Sequence, residues 1–378
     1  MSRCRLLLMS NSVSMGGMEE HVRLVAREID RTHFEIVALA PDWEPTAQFS
    51  ASLAEAADRF AYSTPDRRHG TRRLMGEVWR LFRRARRDRY DVAHLHSTSY
   101  EGLTFAIVAL RVAGVGRIFV TEHLAPDEPV PAVARKRRAL LMRLVTGLVC
   151  VSENNRDSRA RHLGLPSGRT HVVNNGIDIT RFDDVASPEQ LDQLREEFDI
   201  DPGVLVVGTA VRLEPGKGVG DLVDAFESIQ SRHPNSVLLI VGEGTLRPEL
   251  QAQAAALGVA ATTRFLGYRS DPRPYVLLMD VFVLPVPFGS ASIALLEAMA
   301  MSRPCVITFG DGREAVQHGT SGFCAEPHDA ASIARCVNML FEDPVRRREV
   351  GHAARARVEQ DYSAVRVARE LEGLYRGG

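Results

Sequence analysis

Lysine is almost missing: Lys136 and Lys217 are the two among 47 basic side chains in a chain of 378 residues. Cysteine is sparse, five residues with no Cys-x-x-Cys pair, which indicates neither a disulfide frame nor a sulfur-ligated zinc site and makes the cytoplasm the expected compartment. Aromatic residues make up 6% of the chain, too few for an aromatic-rich nucleic-acid platform, and no nucleic-acid recognition motif accompanies them. No run of about 18 uncharged apolar residues occurs, so no membrane-spanning helix is expected. The first residues, MSRCRLLLMSNSVSMGG, lack a signal-peptide apolar core and cleavage site and read better as a first strand. There is no Gly-x-Gly-x-x-Gly fingerprint, which disfavours a nicotinamide site, and no P-loop. Neither the Asp199-Ile200-Asp201 triplet nor any local histidine cluster calls for a metal, so neither metal nor resident cofactor is expected.

The remainder is ordinary for a large globular protein: 45% hydrophobic, 25% charged, net charge −1. The charge is unevenly spread. Residues 1–190 hold 28 Lys+Arg against 23 Asp+Glu, and residues 191–378 hold 19 against 25. The surplus gathers in RRHGTRRLMGEVWRLFRRARRDRY and in ARKRR. Such stretches read either as solvated helix faces or as a surface attracting nucleic acid, anionic lipid or a phosphorylated molecule. Of these partners, docking to anionic lipid or to a charged acceptor fits better than nucleic acid.

Short apolar runs alternate with helical patterns. Strands are expected at CRLLLM, FEIVALA, DVAHLH, RIFVTE, LVCVS and THVVNN, then at VLVVGTAV, SVLLIVG, TRFLG, DVFVLPV, PCVIT and GFCAE. Fully apolar strands between helices signal parallel sheets covered on both faces, and two series signal two doubly wound domains. The polar stretch 182–203 is the expected linker, and a last helix, about Val365–Tyr375, follows the second series.

Ligands of open parallel sheets bind beyond the carboxyl ends of the strands. After the first strand, Gly16 and Gly17 precede a helix, where exposed N–H groups favour an anion. In AVRLEPGKGVG, Arg212 and Lys217 flank a Pro-Gly bend; a planar fork and a point-like ammonium together suit a diphosphate. In PVPFGSASIALLEAMA, the small residues Gly289 to Ser292 offer further N–H groups at a helix start, and Glu297 stands among apolar neighbours. A carboxylate there needs partners, and two adjacent ribose hydroxyls would serve.

Taken in order, the Gly-Gly turn before Met18-Glu19, YDVAHLHS, VTEH, VCVSENNR, VVNNGIDITRF, AVRLEPGKG, LLIVGEGTLRPELQ, RFLGY, LLEAMAMSRPCVIT and REAVQHGTSGF resemble the retaining glycosyltransferases of family 4. The resemblance covers nearly the whole chain. It implies the GT-B fold: an α/β chain with two doubly wound, Rossmann-like parallel-sheet domains facing a central cleft. The domains would be residues 1–182 with a C-terminal crossover helix 362–378, and residues 200–361 for the donor.

The resemblance also implies roles. Gly16 and Gly17 would face the donor phosphates, and His123 the transferred sugar. Arg212 and Lys217 would hold the diphosphate. Gly242, Gly244 and Tyr268 would surround the base. Ser290, Ala291, Ser292 and Ile293 would line the anion cradle, and Glu297 would bind the ribose. The donor would be a nucleotide diphosphate sugar, the acceptor a hydroxyl of unknown parentage. One position departs: where the family has a second glutamate before Glu297, this chain has Gly289. In the family that acid contacts donor-sugar hydroxyls, so the expectation is that the donor presents a different sugar face, or that Ser290, Ser292 or another carboxylate substitutes. A non-catalytic nucleotide-sugar-binding subunit and a sugar-nucleotide epimerase of the same fold stay open as alternatives.

Overall fold

The computed structural model describes residues 3–12, 16–63, 70–98, 102–124, 126, 128–164, 167–287, 292–308 and 314–377. The chain divides into two compact units. One is residues 1–176 with 364–378, the other 177–363. The division at Gly176/Ile177 precedes the polar stretch 182–203, which lies inside the second unit.

In the first unit the elements run β1 (Cys4–Ser10), α1 (Gly17–Glu28), β2 (Phe34–Ala40), α2 (Ala47–Ala56), β3 (Arg59–Tyr62), α3 (Thr71–Asp88), β4 (Val92–Ser97), α4 (Thr104–Val112), β5 (Arg117–Glu122), α5 (Ala132–Met142), β6 (Gly147–Cys150), α6 (Glu153–Leu163) and β7 (Thr170–Val172). Their seven strands are all parallel in the order β3-β2-β1-β4-β5-β6-β7. Side-chain alternation along each strand splits the core in two. Leu7, Met9, Leu39, Leu95 and Val120 pack under α3, α4 and α5. Leu6, Leu8, Ile36 and Phe119 pack under α1, α2 and the last helix, α14 (Ala364–Arg376). That helix is strongly amphipathic and buries Val367, Leu371 and Tyr375 against this face.

The second unit continues with α7 (Pro188–Glu197), β8 (Leu205–Ala210), α8 (Val219–Arg232), β9 (Ser236–Val241), α9 (Arg247–Ala256), β10 (Thr263–Gly267), α10 (Arg273–Leu277), β11 (Val281–Leu284), α11 (Ile293–Ala300), β12 (Cys305–Thr308), β13 (Phe323–Ala325), α12 (Ala330–Glu342) and α13 (Pro344–Asp361). Its six parallel strands are ordered β10-β9-β8-β11-β12-β13. One face packs on α8, α9 and α12 and the other on α10, α11 and α13. The start of α7 explains why the expected linker is folded: Ser187 and Gln190 form a reciprocal capping box, with Pro188 in its first turn.

In each sheet the strand order reverses beside the first strand, between β1 and β4 in one and between β8 and β11 in the other. These are the topological switch points, where the strand ends leave a crevice for ligand.

Candidate functional site

The turn after β8 carries Arg212 and Lys217. Its shape is fixed by backbone bonds: Leu213 N–H donates to Glu243 O (2.9 Å), Leu246 N–H to Leu213 O (2.9 Å), and Lys217 N–H to Glu214 O (3.2 Å). Thr245 donates to the Glu214 carboxylate from its hydroxyl (2.7 Å) and its N–H (3.2 Å). Those bonds, with a smaller contribution from Arg212, hold the Glu214 carboxyl below its usual range. The turn after β9 is thereby locked to the turn after β8.

Glycine is required at two of these positions. Gly218 has φ +65°, and a Cβ there would lie 1.9 Å from Pro285 O, just past β11. Gly242 has φ +143°, and a Cβ there would lie 1.9 Å from Val211 O. So the loop bearing Lys217 runs in backbone contact with the exit of β11, the segment leading to α11 and Glu297. The two halves of this switch point are brought together by glycine's missing side chain.

Within α11, Leu295, Leu296, Ala298, Met299 and Ala300 are buried, whereas Ile293, Ala294 and Glu297 are partly exposed. The sequence suggested a carboxylate enclosed on nearly all sides. Instead, Glu297 lies on the one open stripe of the helix. Arg273, chelated by Asp271 (2.7 and 2.8 Å), has its pKa raised chiefly by Asp271, with Glu297 adding to the effect. Ser292 is the N-cap of α11 and makes no side-chain cap bond. Ser290 and Ala291, like Gly289, lie outside the described residues. Gly242 N–H donates to Gly267 O (2.9 Å), which sets the next residue, Tyr268, beside the β9 exit with its side chain 76% exposed. Gly244 is pressed on Leu213: a Cβ there would lie 2.2 Å from Leu213 O.

The first unit's switch point is different in kind. Gly16 is the N-cap of α1 and Gly17 its first residue, both exposed. About one turn on, Glu19 and His21 are buried. Burial pushes the Glu19 carboxyl up, against a hydrogen bond with Ser12. His123 follows β5; its N–H donates to Ser97 O (2.9 Å), and Asn155 Nδ2 donates to its carbonyl (3.3 Å). Its ring is buried among imidazoles: His96 Nδ1 is 3.4 Å from His123 Nε2, and the His21 ring centroid is 5.2 Å away. Burial holds His123 well below the usual imidazole pKa, so it is neutral at pH 7.

No local spacing announces this histidine group as a whole, because its members come from α1, β4 and the residue after β5. The available signal was the His94-x-His96 spacing, which in a strand puts both rings on one face. A second unforeseen feature lies beside it. Glu122, the residue before His123, is buried between the guanidinium groups of Arg138 and Arg159. Arg159 also donates to Asn155 Oδ1 (2.9 Å) and to the carbonyls of Glu122 and Leu124 (2.8 Å each). Arg138, part of the basic ARKRR segment, is therefore an internal ion-pair partner. A cavity of about 490 Å³ between α5 and the starts of β6 and β7, lined by Met142, Arg143, Leu148 and Arg169, opens at the amino ends of the strands, the edge opposite His123.

Residues 15–181 match the model of Glycosyltransferase Family 4, and residues 201–343 the model of Glycosyl transferases group 1. A glycogen synthase of Mycobacterium tuberculosis is 31% identical over 295 residues, which are 76% of this chain and 69% of that protein. A putative glycosyltransferase, EpsD of Bacillus subtilis, is 29% identical over 57% of each chain. A GDP-mannose-dependent phosphatidylinositol monomannoside mannosyltransferase of Mycolicibacterium smegmatis is 27% identical over 93% of this chain and 92% of its own. Among solved structures, HepE of Anabaena in complex with UDP superposes with a TM-score of 0.85 at 21% identity, over 99% of this chain and 100% of its own. A glycosyltransferase of Rickettsia africae gives 0.86 at 17% identity, over 100% and 98%.

Proposed function

Since the chain belongs to glycosyltransferase family 4 and has the GT-B fold, we propose that it transfers a sugar from a nucleotide diphosphate sugar to an acceptor hydroxyl with retention at the anomeric carbon. The observation that carries this reading is the second unit's switch point. There a loop bearing Arg212 and Lys217 is locked by Gly218 against the segment leading to Glu297. In the reaction, the bond from the anomeric carbon to the diphosphate oxygen breaks. The acceptor oxygen bonds the same carbon from the same face, and its proton passes to the departing phosphate. Charge grows on that phosphate. Arg212, Lys217 and the N–H groups at the start of α11 meet it without reorganising, which is how preorganised electrostatics lowers a barrier. Glu297, on the open stripe of α11, accepts from the two ribose hydroxyls, and exposed Tyr268 with Gly242 and Gly244 borders the base. Gly16 and Gly17 present α1's first N–H groups to the donor phosphates. His123, neutral, orients the sugar and is not a general base.

The test is turnover with a panel of UDP-, GDP-, ADP- and TDP-sugars, following release of nucleoside diphosphate and the anomeric configuration of the product by NMR. Acceptor-dependent release with retained configuration is expected. Inversion contradicts the mechanism, epimerised donor points to an epimerase, and tight donor binding without turnover for every acceptor points to a binding subunit. Gly289→Glu, which restores the family's second acid, is expected to change the preferred donor sugar.

We also propose a peripheral contact of the first unit with anionic lipid. No helix among the described residues is long and apolar enough to cross a membrane. The layer of α3, α4 and α5 nevertheless exposes Met75, Trp79, Val112, Val133 and Leu140, with Trp79 stacked on Phe82. Arg72, Arg83 and Arg86 share the exposed face of α3 with Met75 and Trp79. Arginine stems around an indole suit a headgroup interface. Co-sedimentation with phosphatidylglycerol-containing vesicles, absent with phosphatidylcholine alone and weakened by salt, is the expected result. Equal binding to both vesicles would refute it.

A further inference from the structure

Three imidazoles converge at the carboxyl edge of the first sheet. His21 comes from the inner face of α1, His96 from the end of β4 and His123 from the residue after β5. All three are buried, with 2%, 0% and 6% exposure. One ring nitrogen of each lies within 4.8 Å of the others'. The ring centroids form a nearly equilateral triangle with sides of 5.2, 5.6 and 5.7 Å.

That triangle has the dimensions of a metal-binding face. Imidazole nitrogens about 2.0–2.1 Å from a tetrahedral ion lie roughly 3.4 Å apart. Adding about 1.1 Å from nitrogen to ring centre puts the centroids roughly 5.2 Å apart. The His96 Nδ1 to His123 Nε2 separation, 3.4 Å, already has that value. The three ligand nitrogens lie within 4.8 Å of one another, so closing the His21 edges by up to about 1.4 Å completes the face.

The chemical state fits as well. Burial lowers all three pKa values, His21 to about 4, so the rings keep their lone pairs at neutral pH. Nε2 of His21 is buried without a hydrogen-bond partner among the described residues, a cost that an occupant would remove. His94, though its ring is 4.2 Å from that of His96, is already committed at both nitrogens, to Tyr375 Oη (2.5 Å) and Thr121 Oγ1 (2.7 Å). The set is therefore three neutral nitrogens and no carboxylate. Imidazole ligands favour zinc and its neighbours over magnesium or calcium, and three protein ligands leave a fourth position open.

We propose that His21, His96 and His123 bind one divalent transition-metal ion, of which Zn²⁺ is the best fit, and that its binding inhibits the enzyme. Binding rests on the geometry alone. Inhibition rests on the reading of His123 as the sugar-orienting residue, because a coordinated imidazole has no lone pair left for the donor sugar.

The test uses the full chain freed of metal by chelation. Co²⁺ serves as the spectroscopic probe and Zn²⁺ as the calorimetric one. The expected result is one ion per chain with the intense visible absorption of four-coordinate Co²⁺, displaced by Zn²⁺. His21→Gln and His96→Gln are each expected to weaken binding at least tenfold, whereas His33→Gln, on the surface, leaves it unchanged. Circular dichroism and melting establish that each variant is folded. Absence of the four-coordinate spectrum in the wild-type chain, or its persistence in both folded variants, overturns the site and marks the rings as a solvent-bonded cluster. That failure leaves glycosyl transfer untouched. If the ion binds as described but turnover with the preferred donor is unchanged at saturating Zn²⁺, inhibition is refuted.

Discussion

The two units share a doubly wound architecture, yet they treat ionisable groups in opposite ways. In the first, the groups at the switch point are internal: a buried acid, buried neutral imidazoles and a carboxylate enclosed by two guanidinium groups. In the second, Arg212 is exposed, Lys217 and Glu297 are partly exposed, and the internal precision lies in glycine-tight backbone contacts. A buried charge must be matched within the protein and so becomes part of its stability. A solvent-facing cation held by a rigid turn costs the fold little and stays available to a charged ligand. The same fold thus holds one switch point by internal charge and the other by backbone contact, and the proposed function assigns the phosphate charge to the second.

The largest expected effect breaks the first unit alone. Glu122→Gln leaves the Arg138 and Arg159 guanidinium groups buried without their acid, and a loss of about 3–5 kcal/mol is expected in urea unfolding. An unchanged midpoint would mean that this unit is not organised by its internal charges. The complementary change is Arg212→Ala or Lys217→Ala. Either is expected to lower turnover roughly 10²–10³-fold, the scale for a lost oxyanion-stabilising group. Melting should stay nearly unchanged, because exposed positions contribute little to stability. A large fall in melting temperature would erase the contrast between the units. Next comes Gly218→Ala, which sets a methyl against Pro285 O at a positive φ. A cost of about 1–3 kcal/mol is expected, together with loss of nucleotide binding as the turn shifts. Intact binding in that variant would show that the backbone contact does not aim Lys217. The smallest effect sharpens the comparison: Tyr268→Ala, at a largely exposed ring, should raise KM several-fold and leave stability and kcat alone.

Much of this was legible in the sequence. FEIVALA and RIFVTE coincide with β2 and β5, because a strand buried on both faces reads as an unbroken apolar run. β3 was not foreseen: Arg59–Tyr62 is a short edge strand with partly exposed residues, and it makes no such run. The stretch 182–203 read as linker from its polarity, although Ser187, Pro188 and Gln190 in it are helix-start signals. The Arg212–Lys217 turn of the second unit could be singled out because it is local, a few residues within one loop. The first unit's site could not. The partners of His123 and of Glu122 are set by which strands and helices adjoin, and no local spacing encodes that.

The most direct test of the central claim is calorimetric binding of UDP and GDP to the wild-type chain and to Arg212→Ala/Lys217→Ala. The prediction is that one of these nucleotides binds the wild type with salt-sensitive affinity and that the double variant, still folded, binds it at least about 100-fold more weakly. Equal affinity in the two proteins would contradict the assignment of the diphosphate to these cations.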